Sequence, residues 1–428
     1  MNALKEVLRH QVYPAMGCTE PASVALCAAH AAKALGEPVR EALFLLDPGT
    51  YKNGMGVSLP NARGGKGNLL AGALGLLIAD PGLRMEILRA STPVVLRRAQ
   101  ALLRAQRVRC VVAPDRRDSY VEARLSGRRH RSVCVIAGSH TEVVLLERDG
   151  RALLRRRTPG KKGVPRFKEA LKKAALKDLL RWAGRMDAAD AAWIRKGVAM
   201  NLAAAEAGLR LRKVGYYLRD LLKRGYLLND VFASTKLLAA SACDARMDGA
   251  AVPVMSSGES GNQGIVAALV PWQVGLSFKT PERTVLRSIA LSHLLNAYVK
   301  VHTGGLAPIC GCAIAAAVGA AAAIVYQRNG PDVRGISLAI NNVISDIGGM
   351  LCDGAKSGCA LKVVSSTDTA IRSAYMGIHH YGITEVEGFV GRRAEDTIRN
   401  LAKISTIGMA KVDDTIVGIM MDKQSAAA

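Results

Sequence analysis

Five cysteines of this chain lie where backbone can bend close to a ligand. Cys18, Cys310, Cys312, Cys352 and Cys359 sit among Gly, Pro, Asp or Thr, in the segments AMGCTEP, LAPICGC and MLCDGAKSGCALKV. Cys27, Cys110 and Cys134 stand in apolar runs and read as core thiols. Cys310, Cys352 and Cys359 fall in loops that open onto apolar helices, 42 and then 7 positions apart. The chain has no C-x-x-C pair, so this is neither a zinc ribbon nor a ferredoxin run. Three thiolates from separate loops can still hold a 4Fe–4S cluster and leave one iron without a protein ligand. Such an iron is a Lewis acid for a substrate's carboxylate and leaving group. The spacing fits loop cysteines with no common role equally well.

Other residue types here could serve the same chemistry. Cys18 follows the first helix and precedes Pro21, which suits the first turn of the next. A thiol at a helix N-terminus has its pKa lowered. Cys18 then reads as a proton-abstracting base or a temporary fourth cluster ligand, with an inert loop thiol as the alternative. Glu20 suits a capping-type carboxylate at that terminus. His140, after a strand and Gly138, reads as a base or polarising group, or as a structural strand-end histidine. Asn53, Gly54 and Gly56 suit a loop that brings backbone donors to a carboxylate, or a plain hairpin turn. Ser260, Gly261, Asn262 and Gln263 form a polar loop beside apolar helices and read as substrate contacts. Lys362 would pair with a substrate carboxylate or cluster charge, or lie on a helix surface. Asp244 and Arg246 read as an ion pair positioning the SGNQG loop, Asp353 as support for Cys352, and His293 as a core histidine.

These groups need a scaffold, and the pattern predicts an α+β N-terminal domain over residues 1–155 and a larger all-α C-terminal domain over 156–428. VREALFLLD, NGMGVSLP, RVRCVVAPD, SYVEARLSG, HRSVCVIAG and HTEVVLLERDG read as strands, largely in antiparallel hairpins. Asn68 to Ala79 and Met85 to Arg107 read as helices between them. Beyond Pro165 nearly everything reads as helix, including FKEALKKAALKDLLRWA, VFASTKLLAASACDARM and AEDTIRNLAKISTIGMA. The active site is expected where the Cys18 loop meets the three cysteine loops.

Composition narrows the classes. Half of the 428 residues are hydrophobic and only 4% aromatic, so the core must be Ala, Leu, Val and Ile. The apolar stretch Ile309 to Tyr326 is too short for a membrane span, and the N-terminus carries no apolar signal core. The chain reads as cytoplasmic, where nine cysteines argue against disulfides. The net charge of +24 is concentrated: Arg84 to Arg224 holds 35 Lys plus Arg against 13 Asp plus Glu, a surplus of 22. Its RALLRRRTPGKKGVPRF stretch reads as a loop leading into a basic helix. A basic face can bind nucleic acid, but without interleaved aromatics or an RNA-binding signature this is the weaker alternative.

Seven blocks together resemble the L-cysteine desulfidase family, related to the iron–sulfur L-serine dehydratases. They are GCTEP at 17–21, KNGMGV at 52–57, GSHTEVV at 138–144, SACDARMDGAAVPVMSSGESGNQGI at 241–265, LSHL at 291–294, LAPIC at 306–310 and MLCDGAKSGCALKV at 350–363. The resemblance implies a 4Fe–4S cluster on Cys310, Cys352 and Cys359, with Cys312 as the alternative to Cys310. It implies α,β-elimination of L-cysteine to hydrogen sulfide, ammonia and pyruvate, or dehydration of L-serine, and leaves room for a homodimer. The family's GGHTN reads GSHTE here, and its G-x-P-x-AAALG reads GKGNLLAGALG, which bears on the substrate pocket.

Overall fold

The computed structural model describes residues 2–116, 119–156 and 165–425. Strands are β1 (Pro14–Met16), β2 (Glu41–Leu46), β3 (Val108–Val112), β4 (Tyr120–Ser126), β5 (Arg131–Ala137), β6 (Val143–Arg148), β7 (Arg151–Arg155) and β8 (Pro253–Met255). Six of them form one sheet in the order β3-β2-β4-β5-β6-β7. Only β2 and β3 are parallel; the other neighbours are antiparallel and joined mostly by short turns, as the turn residues predict. The architecture is α+β at the N-terminal side with a larger helical part after it.

The helix Thr19–Leu35 covers the sheet and packs on the helix Gly67–Ile78. Their backbones nearly touch: a Cβ at Gly75 would lie 2.1 Å from the Ala25 carbonyl oxygen. This is how a core with few aromatics reaches high density. The helical part repeats the device, since a Cβ at Gly319, in the helix Ala315–Asn329, would meet the Ser292 carbonyl oxygen at 2.5 Å. Residues Ala315 to Tyr326 are all buried. Among the described residues no helix is long and apolar enough to cross a membrane.

The first helix, Ala3–Gln11, buries Leu4, Val7 and Leu8 in the helical core rather than under the sheet. Strand β1 then pairs antiparallel with β8, Pro14 opposite Met255 and Met16 opposite Pro253. That pairing holds the GCTEP segment beside the loop that follows β8.

Several elements differ from expectation. The NGMG segment is not a strand or hairpin but the end of a helix, Pro48–Met55. Asp47 caps it by accepting from Thr50 N at 3.1 Å and Pro48 occupies its first turn, a start signal present in DPGT. The expected helix Met85–Arg107 is two pieces, a 3-10 stretch over Pro81–Ala90 and a helix Pro93–Arg104 that Thr92 caps. FKEALKKAALKDLLRWA breaks at Ala174 into Arg166–Lys173 and Leu176–Gly184. Part of the expected RALLRRR loop is the edge strand β7; the rest of that loop, residues 157–164, lies outside the described residues.

Candidate functional site

The site is built where several segments of the chain converge on one cavity of about 90 Å3. A single water needs roughly 10–15 Å3 by this measure, so the space suits a small polar molecule rather than a nucleotide. Cys18, Glu20, Asn53 and His140 enter from the sheet side. Arg246, Ser260, Asn262, Gln263 and the four cysteines 310, 312, 352 and 359 enter from the helical side.

The sulfur wall comes first. Residues Ile309 and Leu351 form an antiparallel bridge. Cys310 N donates to Met350 O at 2.8 Å and Cys352 N donates to Pro308 O at 2.7 Å, so the two cysteines are clamped side by side. Cys359 opens the helix Cys359–Ile378 and its thiol lies 3.7 Å from Gly354 O. Gly354 has φ of +92°, and a Cβ there would meet Lys52 O at 2.5 Å, so only glycine lets this loop close. Cys310 Sγ and Cys312 Sγ are 3.2 Å apart. The Cys310 thiol is pushed up chiefly by its hydrogen bond with Cys312, and the Cys352 thiol by its hydrogen bond with Cys310 and by burial. Burial raises Cys359 as well. Among the described residues no three His, Cys, Asp or Glu side chains surround one point closely enough for a single metal ion.

Facing the sulfurs is a buried acid. Glu20 accepts from Cys18 Sγ at 2.8 Å and Thr19 Oγ1 at 3.1 Å on Oε2, and from Asn53 Nδ2 at 2.9 Å on Oε1. Burial alone would raise its carboxyl, but His140 and the hydrogen bonds from Cys18 and Asn53 outweigh it and hold it at about 2. Cys18 behaves oppositely to expectation. It stands at the N-cap of Thr19–Leu35, yet burial and the Glu20 charge push its thiol well up. It is therefore a protonated donor to Glu20, not a helix-activated thiolate. His140 is buried, and neither ring nitrogen has a hydrogen-bond partner; Glu259 lies 3.7 Å from Nδ1.

The remaining expected residues divide. Ser260 precedes the helix Gly261–Ser277, and Asn262 and Gln263 lie in its first turn with Oδ1 and Oε1 unpartnered. Gly261 does not line the cavity but packs on Arg246: a Cβ there would stand 2.3 Å from Arg246 Nε. Gly54 and Gly56 also stay outside the cavity wall. Gly54 makes room for Asn68, whose Oδ1 would lie 1.8 Å from its Cβ, and Gly56 has nothing within 4 Å. Lys362 lines the cavity and donates to Leu351 O at 2.6 Å and Asp353 Oδ1 at 2.5 Å. His293 is a core histidine, its Nδ1 2.9 Å from Ser257 Oγ, pushed down to about 4 by burial.

The expected Asp244–Arg246 pair is not made. Two positions apart on the helix Val231–Met247, the side chains cannot face each other. Asp244 instead accepts from Gly215 N at 2.7 Å, and burial pushes it up to about 6. Arg246, only 2% exposed, lines the cavity with Nε and Nη2 unpartnered. Lys300, which carried no motif signal, and Glu259, which lies within the 241–265 block without being singled out, also line it. A charged residue spaced among the buried alanines of SACDARM was the available clue for Arg246.

Comparison with known proteins agrees along nearly the whole chain. The family described as serine dehydratase alpha chain matches residues 146–418. A UPF0597 protein of Elusimicrobium minutum is 57% identical over 99% of this chain and 100% of its own length. A Geobacter sulfurreducens UPF0597 protein is 51% identical over 99% of both chains, and one from Clostridium tetani 36% over 98% of both. No solved structure matches.

Proposed function

The chain belongs to the serine dehydratase alpha chain family, and from that membership we propose that it is a lyase for a small β-substituted amino acid. The substrate we propose is L-cysteine, cleaved to hydrogen sulfide, ammonia and pyruvate. The observation that carries this is the meeting of Cys310, Cys352 and Cys359 with Cys18, Glu20 and His140 in one small cavity. L-serine is the second reading, favoured by membership in a serine dehydratase family. The division into residues 1–155 and 156–428 belongs to the same proposal, with both parts lining the cavity.

The sulfur wall fits an iron–sulfur cluster. Its donors are thiols alone, which are soft ligands of the kind that hold iron–sulfur clusters, and three of them line one cavity. Cys310, Cys352 and Cys359 would hold a 4Fe–4S cluster, with Cys312 standing next to Cys310. When bound, such a cluster supplies Lewis acidity at the leaving group.

The chain's own groups do the rest. His140, with neither nitrogen hydrogen-bonded and Glu259 beside Nδ1, takes the Cα proton. The Cys18 thiol, kept protonated by burial and by Glu20, is a proton donor beside it. Asn53 orients Glu20, and Ser260, Asn262 and Gln263 offer polar groups to the bound amino acid. Lys362 braces the Cys352 loop through Leu351 O and Asp353. Loss of the Cα proton and the β-substituent leaves aminoacrylate, which water converts to pyruvate and ammonia.

The test is anaerobic turnover of L-cysteine and L-serine side by side. Sulfide and pyruvate in equal amounts from L-cysteine support the lead. Pyruvate from L-serine alone promotes the second reading, and pyruvate from neither rejects both.

A further inference from the structure

Two opposite charges are buried in the cavity without neutralising each other. Arg246 is 2% exposed and Glu20 is 6% exposed. The Arg246 charge is near enough to help keep Glu20 ionised, but its Nε and Nη2 have no partner and Glu20 is hydrogen-bonded to Cys18, Thr19 and Asn53 instead. A guanidinium cannot shed its proton to escape burial. Leaving one buried without an anion is strongly unfavourable. Such a cation persists where a ligand supplies the missing charge.

Its geometry says which anion. The planar fork of an arginine matches a carboxylate through two parallel N–H···O bonds. Gly261 lets the fork lie against the start of the helix Gly261–Ser277, since any Cβ there would collide with Arg246 Nε and with Val254. Glu20 is likewise fixed, with both oxygens oriented by donors. A carboxylate has about four lone-pair sites; three are used, so Oε1 retains room for a further donor.

We propose that Arg246 binds the α-carboxylate and Glu20 the α-ammonium of one free amino acid, so that the cavity selects zwitterions over plain carboxylic acids and plain amines. This rests on the amino-acid lyase reading and names how that substrate is recognised. A peptide, lacking one or other charge at the reacting carbon, is excluded.

Binding can be read apart from turnover with L-alanine, which has no β-leaving group. Titration calorimetry uses the full-length chain purified anaerobically, with L-alanine, propionate and ethylamine as probes. L-alanine binding about 100-fold tighter than either single-charge probe is expected, the size of one lost charged hydrogen-bonding partner. Arg246→Lys weakens L-alanine by at least about 10-fold because it loses the fork, and Glu20→Gln narrows the preference of L-alanine over propionate. Thermal melts check the fold of each variant; if one does not fold, the three-probe comparison on the unaltered chain decides.

Equal binding of propionate and L-alanine, or no binding of L-alanine, overturns the proposal. So does unchanged L-alanine affinity in Arg246→Lys. Pyruvate release from L-cysteine with an unchanged KM in Arg246→Lys removes this inference and leaves the lyase standing. Arg246-dependent L-alanine binding with no pyruvate from either amino acid does the reverse.

Discussion

Lys52 and Asp413 are 361 positions apart in the chain and form an ion pair of 2.6 Å with the lysine side chain 1% exposed. The same Lys52 Nζ donates to Cys352 O at 2.7 Å. One buried cation therefore joins the final helix, Val412–Ser425, to the loop of a proposed cluster ligand.

Removing one partner should cost more than removing both. Asp413→Ala leaves Lys52 charged, buried and missing its anion, with an expected loss of about 3–5 kcal/mol. The double variant Lys52→Met, Asp413→Leu should be milder, because no buried charge remains. Denaturant unfolding of the three proteins checks the order, and a double variant as unstable as Asp413→Ala would contradict it.

Gly261→Ala should weaken binding at a modest cost in stability. Alanine gains up to about 1 kcal/mol in a helical turn, but its methyl would also stand 2.7 Å from the buried Val254, and overpacking of about 1–3 kcal/mol outweighs that gain, so the melting temperature should fall slightly. Its methyl must displace Arg246, from whose Nε it would stand 2.3 Å. KM is expected to rise by about 10-fold or more with an intact fold, measured by pyruvate release and circular dichroism.

His140→Gln should lower kcat by about 100-fold to 10,000-fold, the range for a lost general base. KM should change little, since proton transfer is a transition-state role. A KM effect alone would move His140 from proton transfer to binding.

His293 sets an acid limit on stability. In the fold its pKa is held at about 4 by burial, below the usual 6.5, so the native state prefers the neutral ring. The unfolded chain binds the proton first, and stability present above pH 6.5 is lost as pH falls toward 4. By pH 4 the loss from this group is about 3 kcal/mol. His293→Asn should show a flatter stability curve over that window, read by urea unfolding at each pH.

Much of this was legible in the chain. Strands β4 and β5 could be found because VEARLS and SVCVIA are β-rich and bounded by Gly, Asp and Ser turns. The helix Ala315–Asn329 could be found because an alanine run has no better use than a buried helix. NGMG misled because its glycines serve packing, one of them making room for Asn68, rather than a turn. Strand β7 was hidden by its arginines, which suit a charged sheet edge. Cys18 illustrates a different limit: its helix-start position is written in GCTEP, but the burial and the Glu20 carboxylate that reverse its acidity are tertiary facts. Arg246 and Lys52 depend on partners or their absence across hundreds of positions, which local pattern does not encode.

The central claim is that Cys310, Cys352 and Cys359 hold one iron–sulfur cluster. Iron and acid-labile sulfide per chain, measured on anaerobically purified protein, test it most directly. About four of each are expected in the unaltered chain, most of it lost in Cys310→Ala, Cys352→Ala and Cys359→Ala and none lost in Cys27→Ala. Iron-free protein that still releases pyruvate, or a triple cysteine variant that keeps its iron, would contradict it.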